Sequence, residues 1–271
     1  MDDITKASIQ KVLKTKVFGQ KLLYKEEIDS TNIEAKRQAL EAENHGLVVI
    51  AEKQTAGKGR RGRSWDSQKG TGIFMSLLLK PKKELVPDKA SMLTLVAALA
   101  TSEAIEETIG LNVSIKWPND LVVNNKKVCG ILTEMSADNE GIRYVIVGIG
   151  INVNTREFPE EISGMATSLL LEQGYEKIDR SLLVAAVLEK LEVYYEQFLK
   201  DKCLEFLLEK YNKKLINFDK QVKILGNDGQ VGLTGIAKGI NKEGELLVET
   251  EDGLVEVRSG EVSVRGLYGY V

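Results

Sequence analysis

The chain has 271 residues, of which 43% are hydrophobic and 28% charged, and its formal net charge is −3. This length suits one large domain, or one medium and one small domain that each bury a core. The composition is that of an ordinary globular protein, which excludes a disordered, collagen-like or coiled-coil chain, and the charge gives no global electrostatic case for nucleic-acid binding.

The apolar stretches are too short to cross a membrane. The longest, 92–100 and 144–153, fall well short of the roughly 20 residues that a membrane-spanning helix needs, and the N-terminus lacks the pattern of a signal peptide. Cys129 and Cys203 are too few for a disulfide framework, and His45 is the only histidine, which excludes multi-histidine metal sites. We therefore expect a cytoplasmic protein with reduced thiols.

Helices and strands alternate in the first part of the sequence. The apolar periodicity predicts a helix, a strand, a second helix and two further strands, over 5–15, 21–27, 29 onward, 47–52 and 73–79. Glu34 follows Thr31 by three residues, which is the sequence form of a capping box at the start of the second helix. The segment 54–72 is rich in glycine and arginine and cannot be a regular helix or strand throughout.

The middle of the sequence predicts a sheet covered by helices. One long helix, four strands and two further helices are expected over 88–109, 113–116, 121–123, 127–134, 143–153, 180–199 and 202–212. Asn124-Asn125 predicts a tight hairpin turn. Strands in a meander beside helices indicate the α+β class with a mixed sheet rather than an alternating parallel one.

The pattern changes beyond Asn217 to short alternating strands separated by glycines. Four strands are predicted, over 221–225, 232–240, 244–250 and 254–258, and no helical pattern fits there. About 50 residues of this kind indicate a small β-barrel with a modest core of its own. We therefore expect two domains, 1–217 and 218–271.

The segment from Gln54 to Trp65 is the most informative stretch. It contains a G-x-G-x-x-G pattern at Gly57, Gly59 and Gly62. A dinucleotide-binding turn leads from a strand into a helix, whereas this segment runs through basic residues toward another strand. The pattern is therefore weak support for a dinucleotide site.

The same segment is strongly cationic. Five positive charges and no negative charge lie between residues 53 and 63. Charge-assisted hydrogen bonds to phosphate or carboxylate oxygens are expected from Lys58, Arg60, Arg61 and Arg63. A solvated basic loop is the ordinary alternative. Trp65, on which a base would stack, and Gln54, with a donor and an acceptor, favour a binding role, and a nucleic-acid site would use the same residues.

A second polar cluster is formed by Lys116-Trp117-Pro118-Asn119-Asp120, Lys127 and Gly130. The turn at its start sets an amide and a carboxylate at a strand end, where rigid elements aim side chains. A Pro-Asn-Asp turn alone is mostly structural. Lys127 beside Gly130 adds a positive charge where a ligand can approach the backbone, which favours a binding site.

On these residues the sequence resembles the biotin protein ligases, the biotin-[acetyl-CoA-carboxylase] ligases of bacteria. The motifs in the family's order and spacing are Asp29-Ser30-Thr31-Asn32, the segment 54–65, Lys116 to Asp120, Lys127 with Gly130, and Gly148-Ile149-Gly150-Ile151-Asn152. Several motifs in register are more specific than any one of them. The resemblance implies a catalytic domain of the biotin/lipoate ligase type followed by a small SH3-like barrel.

The resemblance also implies an ATP-dependent ligase that makes biotinyl-5'-AMP and transfers biotin to a lysine of a carboxylase's biotin carrier domain. Biotin is then expected to contact Ser30, Thr31, Asn32, Gln54, Gly57, Lys58, Gly59, Arg60, Lys127 and Gly130. ATP or the adenylate is expected to contact Lys58, Arg60, Arg61, Arg63, Trp65, Asn119, Lys127 and Asn152, with Trp65 on the adenine.

The implied chemistry brings two anions together, the biotin carboxylate and the α-phosphate. Lys58, Arg60 and Lys127, with Mg²⁺ on the phosphates, are expected to offset the repulsion and hold the reactants in line. Asp120 is the candidate for orienting or deprotonating the acceptor amine, and metal binding is its competing role.

The sequence departs from the family pattern in two places. Lys58 stands where many members have arginine, which keeps the charge but loses a bidentate fork, so we expect altered adenylate retention. The 28 residues before Asp29 are too few for the winged helix-turn-helix of some members, so we expect no operator binding. The oligomeric state is open. In some relatives a strand like 143–152 extends the sheet across a two-fold axis, which would give a homodimer.

Two other functions stay open at this point. A lipoate-type ligase or acyltransferase has a similar fold and adenylate, and lipoate rather than biotin would then stabilise the protein. A non-catalytic nucleic-acid-binding module would use the basic loop and Trp65, with steep salt dependence and no ATP turnover. That second alternative leaves Ser30-Thr31 and Asn119-Asp120 unexplained.

Overall fold

The computed structural model describes residues 4–41, 43–63, 65, 67–81, 84–226, 229–260, 262–266 and 270–271. Ser64 of the cationic segment lies outside the described residues. Within them, a seven-stranded mixed sheet is followed by a five-stranded antiparallel sheet. The predicted α+β class is confirmed, and the domain boundary after residue 217 stays a prediction.

The first sheet has seven strands: β1 (Leu22–Ile28), β2 (Val48–Gln54), β3 (Gly72–Leu79), β4 (Ser114–Lys116), β5 (Asp120–Val123), β6 (Lys126–Asp138) and β7 (Gly141–Asn152). Their spatial order is β1-β2-β3-β7-β6-β5-β4. β1 and β2 pair in parallel, and the other neighbours pair antiparallel. Asn124 and Asn125 have φ angles of 49° and 66°, as the predicted two-residue hairpin turn requires.

The strand expected to extend the sheet between two copies lies inside the sheet. β7 pairs with β3 from Val145 to Asn152 and with β6 on its other side. Most of its backbone groups are therefore used within the chain, and the edge strands of this sheet are β1 and β4. An extension through the predicted strand is open only to the residues before Val145, and a homodimer stays a prediction.

Among the described residues, seven α-helices accompany the sheet: α1 (Lys6–Val12), α2 (Thr31–Gln38), α3 (Leu93–Ile109), α4 (Glu160–Ser163), α5 (Leu169–Glu172), α6 (Arg180–Asp201) and α7 (Leu208–Lys214). α3 and α6 pack against each other and cover one face of the sheet with the main hydrophobic core. α2 packs on the opposite face, where Ala35 meets Val49 and Ile146 in a smaller cluster. The start of α2 and the end of β2 thereby meet beside the cationic segment.

The predicted starts of two helices need correction. The predicted helix 88–109 begins as a 3-10 turn, Pro87–Met92, and becomes α-helical only at Leu93. The predicted helix 202–212 begins later, at Leu208, because Lys202 has a φ of 56° and ends α6 in the left-handed conformation.

The predicted capping box at the start of α2 is wrong. Ser30 is the N-cap and makes no side-chain cap hydrogen bond. Thr31 donates instead from its N–H and its hydroxyl to Oε1 of Gln54, at 2.8 and 3.1 Å. An acceptor on β2 thus pairs with a backbone N–H at the start of α2, which has no partner within the helix.

The second sheet consists of β8 (Gln221–Leu225), β9 (Val231–Ile240), β10 (Leu246–Thr250), β11 (Gly253–Val257) and β12 (Ser263–Gly266), in the order β11-β10-β9-β8-β12. The four predicted strands are present, and β12 is an addition. The expected separate core is wrong, because the buried residues of this sheet form one continuous cluster with those of the first. Trp117 also joins the two parts, since its indole Nε1 donates to the Gly244 carbonyl at 3.0 Å.

Candidate active site

Most of the predicted site residues line one cavity of about 450 Å³. We call it the inner cavity, and its predicted lining residues are Ser30, Thr31, Asn32, Gln54, Lys58, Gly59, Arg60, Trp65, Asn119, Lys127 and Gly130. The start of α2, the end of β2, the cationic segment and the paired strands β6 and β7 surround it. Residues from five separate parts of the sequence therefore meet at one place.

A second, larger cavity of about 1100 Å³ adjoins the first. We call it the outer cavity, and its predicted lining residues are Arg63, Trp65, Asp120, Lys127 and Asn152. Trp65 and Lys127 line both cavities. Gly57 and Arg61 line neither of them.

A chain of hydrogen bonds underlies the inner cavity. Ser76, which is fully buried, places its Oγ 2.8 Å from Thr31 Oγ1 and 2.6 Å from Asn32 Oδ1. Asn32 in turn donates from Nδ2 to Glu134 at 2.8 Å, and Glu134 is paired with Lys36 at 2.6 Å. The sequence analysis missed Ser76 and Glu134, because each stands in a strand whose pattern indicates only sheet.

The cationic segment returns on itself as a tight loop. Trp65 donates its N–H to the Gly57 carbonyl at 2.9 Å, and Gly59 donates to the Arg63 carbonyl at 2.7 Å. A Cβ atom at position 57 would lie 2.4 Å from Trp65 O, which no side chain tolerates. Glycine at this position is therefore what lets the two ends of the loop meet, rather than a sign of a dinucleotide turn.

Two arginines of the loop contact the second sheet. Arg60 donates to Oδ1 of Asn119 at 2.8 Å and to the carbonyl of Gly260 at 3.0 Å. Arg61 donates to the carbonyl of Gly226 at 2.8 Å. Burial lowers the pKa of Arg60, but a guanidinium stays protonated in proteins. Arg60 thus presents a positive charge to the inner cavity, whereas Arg61 serves as an anchor.

The indole of Trp65 lies over two glycines that face each other across β6 and β7. Gly130 pairs with Gly150, and a Cβ atom at these positions would lie 2.7 and 2.8 Å from the ring. Among the described residues, Trp65 Nε1 is buried without a hydrogen-bond partner. Both glycines therefore leave room for the Trp65 ring, and the contact of biotin with Gly130 and the stacking of Trp65 on adenine stay predictions.

Lys127 and Asp120 form an ion pair beside the outer cavity. Lys127 Nζ lies 2.6 Å from Oδ1 of Asp120 and 5.2 Å from the centroid of the Trp65 ring. Burial raises the pKa of Asp120, but the charge of Lys127 and hydrogen bonds from Lys127 and Tyr270 more than offset this, so its pKa lies below the ordinary value. Asp120 is therefore an anion in the resting protein.

A second lysine lies close by and is buried. Lys116 is 5% exposed, and its Nζ lies 3.4 Å from the centroid of the Tyr270 ring. Burial lowers the pKa of Lys116 to about 7, although the nearby charge of Asp120 acts in the opposite direction. The sequence motif contains Lys116 but does not reveal its burial, and it gives no indication of Tyr270.

In the part of the chain that the structure describes, no group of three or more His, Cys, Asp or Glu side chains could hold a metal ion. None of the helices described above is long and apolar enough to cross a membrane.

Comparisons with known proteins agree with this geometry. Residues 24–152 match the Biotin/lipoate A/B protein ligase family, and residues 218–265 match the Biotin protein ligase C terminal domain. The biotin protein ligase from Aquifex aeolicus, solved in complex with biotin and ATP, superposes with a TM-score of 0.79. It is 38% identical, over 91% of this chain and 99% of that chain.

Two curated relatives extend the match along the sequence. The bifunctional ligase/repressor BirA of Bacillus subtilis is 40% identical over 265 residues, which are 96% of this chain and 79% of that protein. The biotin--[acetyl-CoA-carboxylase] ligase of Mycobacterium tuberculosis is 32% identical over 83% of this chain and 82% of its own length. The motifs in register, the two cavities and these relatives agree, and the chain is a ligase that belongs to the biotin protein ligase family.

Proposed function

We propose that this ligase activates biotin with ATP as biotinyl-5'-AMP and then transfers biotin to a lysine of a carboxylase's biotin carrier domain. The observation that carries the proposal is that Lys127 lines both cavities. An acid bound in the inner cavity and a nucleotide bound in the outer cavity would meet at this cation. The relative solved with biotin and ATP supports the choice of these two ligands.

The inner cavity suits a ureido ring, which has two N–H donors and one carbonyl. The Ser30 side chain makes no cap hydrogen bond, so its hydroxyl is available to a ligand. The side chain of Gln54 accepts two hydrogen bonds from Thr31 on Oε1, and we assign its Nε2 as a donor to the ureido carbonyl. Phe74 and Met75 provide apolar wall, as small-ligand sites require. We therefore assign biotin to this cavity.

The first step joins two anions. A carboxylate oxygen of biotin attacks the α-phosphorus of ATP, the bond from phosphorus to the bridging oxygen breaks, and pyrophosphate leaves with the electron pair. Negative charge grows on the transferring group, and fixed cations in a partly buried site stabilise it. Lys58 and Arg60 line the inner cavity together with Lys127, and we assign all three to this role.

We propose that Mg²⁺ binds together with the nucleotide. The carboxylates that line the outer cavity are Asp120 and Glu157, and Asp120 is already paired with Lys127. The described residues therefore suit a Mg²⁺ ion carried by the phosphates better than one held by the protein alone. Such an ion would neutralise phosphate charge while the protein cations orient the reactants.

The second step uses the mixed anhydride. The ε-amine of the acceptor lysine attacks the biotinyl carbon, the bond to AMP breaks, and the amine loses a proton. We propose Asp120 as the group that orients this amine or accepts its proton, because it is an anion at the edge of the outer cavity. Water would hydrolyse the same anhydride, so the loop above the cavities would also protect it.

We place the reaction in the cytoplasm. Cys129 and Cys203 are both free, in keeping with a reducing compartment. A homodimer stays a prediction, and it would use a surface other than the paired part of β7.

The decisive experiment is a transfer assay with biotin, ATP, Mg²⁺ and a purified biotin carrier domain. Mass spectrometry should show one added biotinyl group, and a carrier with arginine in place of its acceptor lysine should stay unmodified. Exchange of pyrophosphate into ATP that depends on lipoate and not on biotin would favour the lipoate alternative. Salt-dependent RNA binding without ATP turnover would overturn the enzymatic proposal.

A further inference from the structure

The C-terminal end of the chain supplies an aromatic side chain to the site. Tyr270 lines the outer cavity, and its hydroxyl donates a hydrogen bond to Oδ2 of Asp120, 150 residues away in the sequence. The other oxygen, Oδ1, pairs with Lys127 at 2.6 Å and accepts a hydrogen bond from Asn119 Nδ2 at 3.1 Å. The two oxygens of Asp120 are thus held from two sides, by two parts of the chain.

Two basic side chains lie close to the ring of Tyr270. Lys116 Nζ lies 3.4 Å from the ring centroid, and the guanidinium carbon of Arg265 lies 5.3 Å from it. Both are within the distance at which a cation is attracted to an aromatic face. Because Lys116 is buried, the ring also covers a charge that has little access to water.

The backbone next to Tyr270 lies against β12. A Cβ atom at Gly266 would lie 2.2 Å from the carbonyl oxygen of Val271. Glycine at position 266 therefore leaves the room in which the end of the chain packs. This contact is independent of those made by the tyrosine side chain.

We propose that Tyr270 is a positioning residue of the active site that acts through Asp120. Lys127 and Asn119 hold only Oδ1, and a carboxylate held at one oxygen keeps freedom to rotate about its Cβ–Cγ bond. A carboxylate held at both oxygens keeps Oδ1 toward Lys127. The hydroxyl of Tyr270 thereby fixes the orientation of the ion pair, and the second sheet takes part in catalysis. This inference rests on the role proposed above for Lys127 in forming the adenylate, in which Asp120 acts by holding the lysine in place.

The test is a double-mutant cycle with Tyr270→Phe and Asp120→Asn. The rate of biotinyl-adenylate formation is measured for each variant in single-turnover experiments. Tyr270→Phe keeps the ring over Lys116 and removes only the hydroxyl. Tyr175→Phe is the matched control, because Tyr175 is exposed and lies outside both cavities. Gly266→Ala is a second variant, which should displace the end of the chain without removing the tyrosine.

We expect Tyr270→Phe to lower the rate about tenfold, as for loss of a hydrogen bond to a charged group. The KM for biotin should stay as in the unmodified protein, and Gly266→Ala should lower the rate in the same way. Adding Tyr270→Phe to Asp120→Asn should have no further effect. The inference is overturned if Tyr270→Phe matches the Tyr175→Phe control, if Asp120→Asn alone has no effect, or if the two effects multiply. An unmodified protein without biotin-dependent adenylate formation would instead overturn the proposed function.

Discussion

Lys127 and Asp120 face each other from neighbouring strands, with Nζ 2.6 Å from Oδ1, at the border of the two cavities. Lys127→Ala should lower the rate of adenylate formation by roughly 10²–10³-fold, because it removes a preorganised cation from the reacting groups. Biotin affinity, measured by calorimetry, should change far less. Lys126→Ala is the matched control. Equal losses in the two variants would contradict the role of Lys127.

Arg60 and Arg61 are adjacent in the sequence but contact different parts of the molecule. Arg60 lines the inner cavity, whereas Arg61 donates to Gly226 O and lines neither cavity. Arg60→Ala should speed release of biotinyl-adenylate by roughly 10- to 100-fold, as expected for lost hydrogen bonds to an anion. Arg61→Ala should have a smaller effect. Release rates from a chase with unlabelled adenylate would measure both, and a larger effect at Arg61 would reverse the assignment.

The site was predictable where its chemistry is contiguous in the sequence. The cations of the loop lie within a few positions of each other, and Asn119 and Asp120 are adjacent, so each group is visible in the sequence as a motif. The pairing of Tyr270 with Asp120 joins residues 150 positions apart, and it depends on how the second sheet packs. Ser76 stands inside the strand GIFMSLLL, where period and composition indicate only a buried strand.

The helix start at Ser30 shows why a correct motif still led to a wrong local prediction. The spacing of Thr31 and Glu34 fits a capping box, but Gln54 of β2 accepts the hydrogen bonds of Thr31. Glu34 is engaged instead by Arg37 and Gln38. A tertiary contact had replaced a local one, and local spacing carries no information about that contact.

Gly150→Ala should disturb the position of the Trp65 ring. The added Cβ atom would lie 2.8 Å from the ring, so the ring must move, and such overpacking costs about 1–3 kcal/mol of stability. We expect weaker ATP binding and a shifted tryptophan emission spectrum. Gly164→Ala is the control, since a Cβ atom there has no neighbour within 4 Å and the residue has an ordinary helical φ of −74°. Unchanged emission in Gly150→Ala would contradict the described packing.

Lys116 should make the stability of the protein depend on pH. Burial lowers its pKa to about 7 from an ordinary value of 10.5. Below pH 7 both the folded and the unfolded protein carry the charge, and the folded protein bears the full cost of burying it. Between pH 7 and 10.5 the unfolded chain binds more protons, so the cost falls as the pH rises.

The variant Lys116→Met tests this dependence by urea unfolding at pH 6 and pH 9. Its free energy of unfolding, relative to that of the unmodified protein, should be higher at pH 6 than at pH 9 by more than about 1 kcal/mol. Lys126→Met, at the start of β6 in the same sheet, is the control. The same difference at both pH values would show that Lys116 keeps its ordinary pKa.

The hydrogen bonds between the cationic loop and the second sheet limit how the sequence of that sheet can diverge. Within the described residues of the second sheet and its turns, the hydrogen-bond acceptors of Arg60 and Arg61 are backbone carbonyls, those of Gly260 and Gly226. Every residue type has a carbonyl, so the side chains of the second sheet are free to vary while these two anchors persist. An insertion or deletion that shifts either turn would break them. We therefore expect the second sheet to accept substitutions but not changes in the length of these two turns.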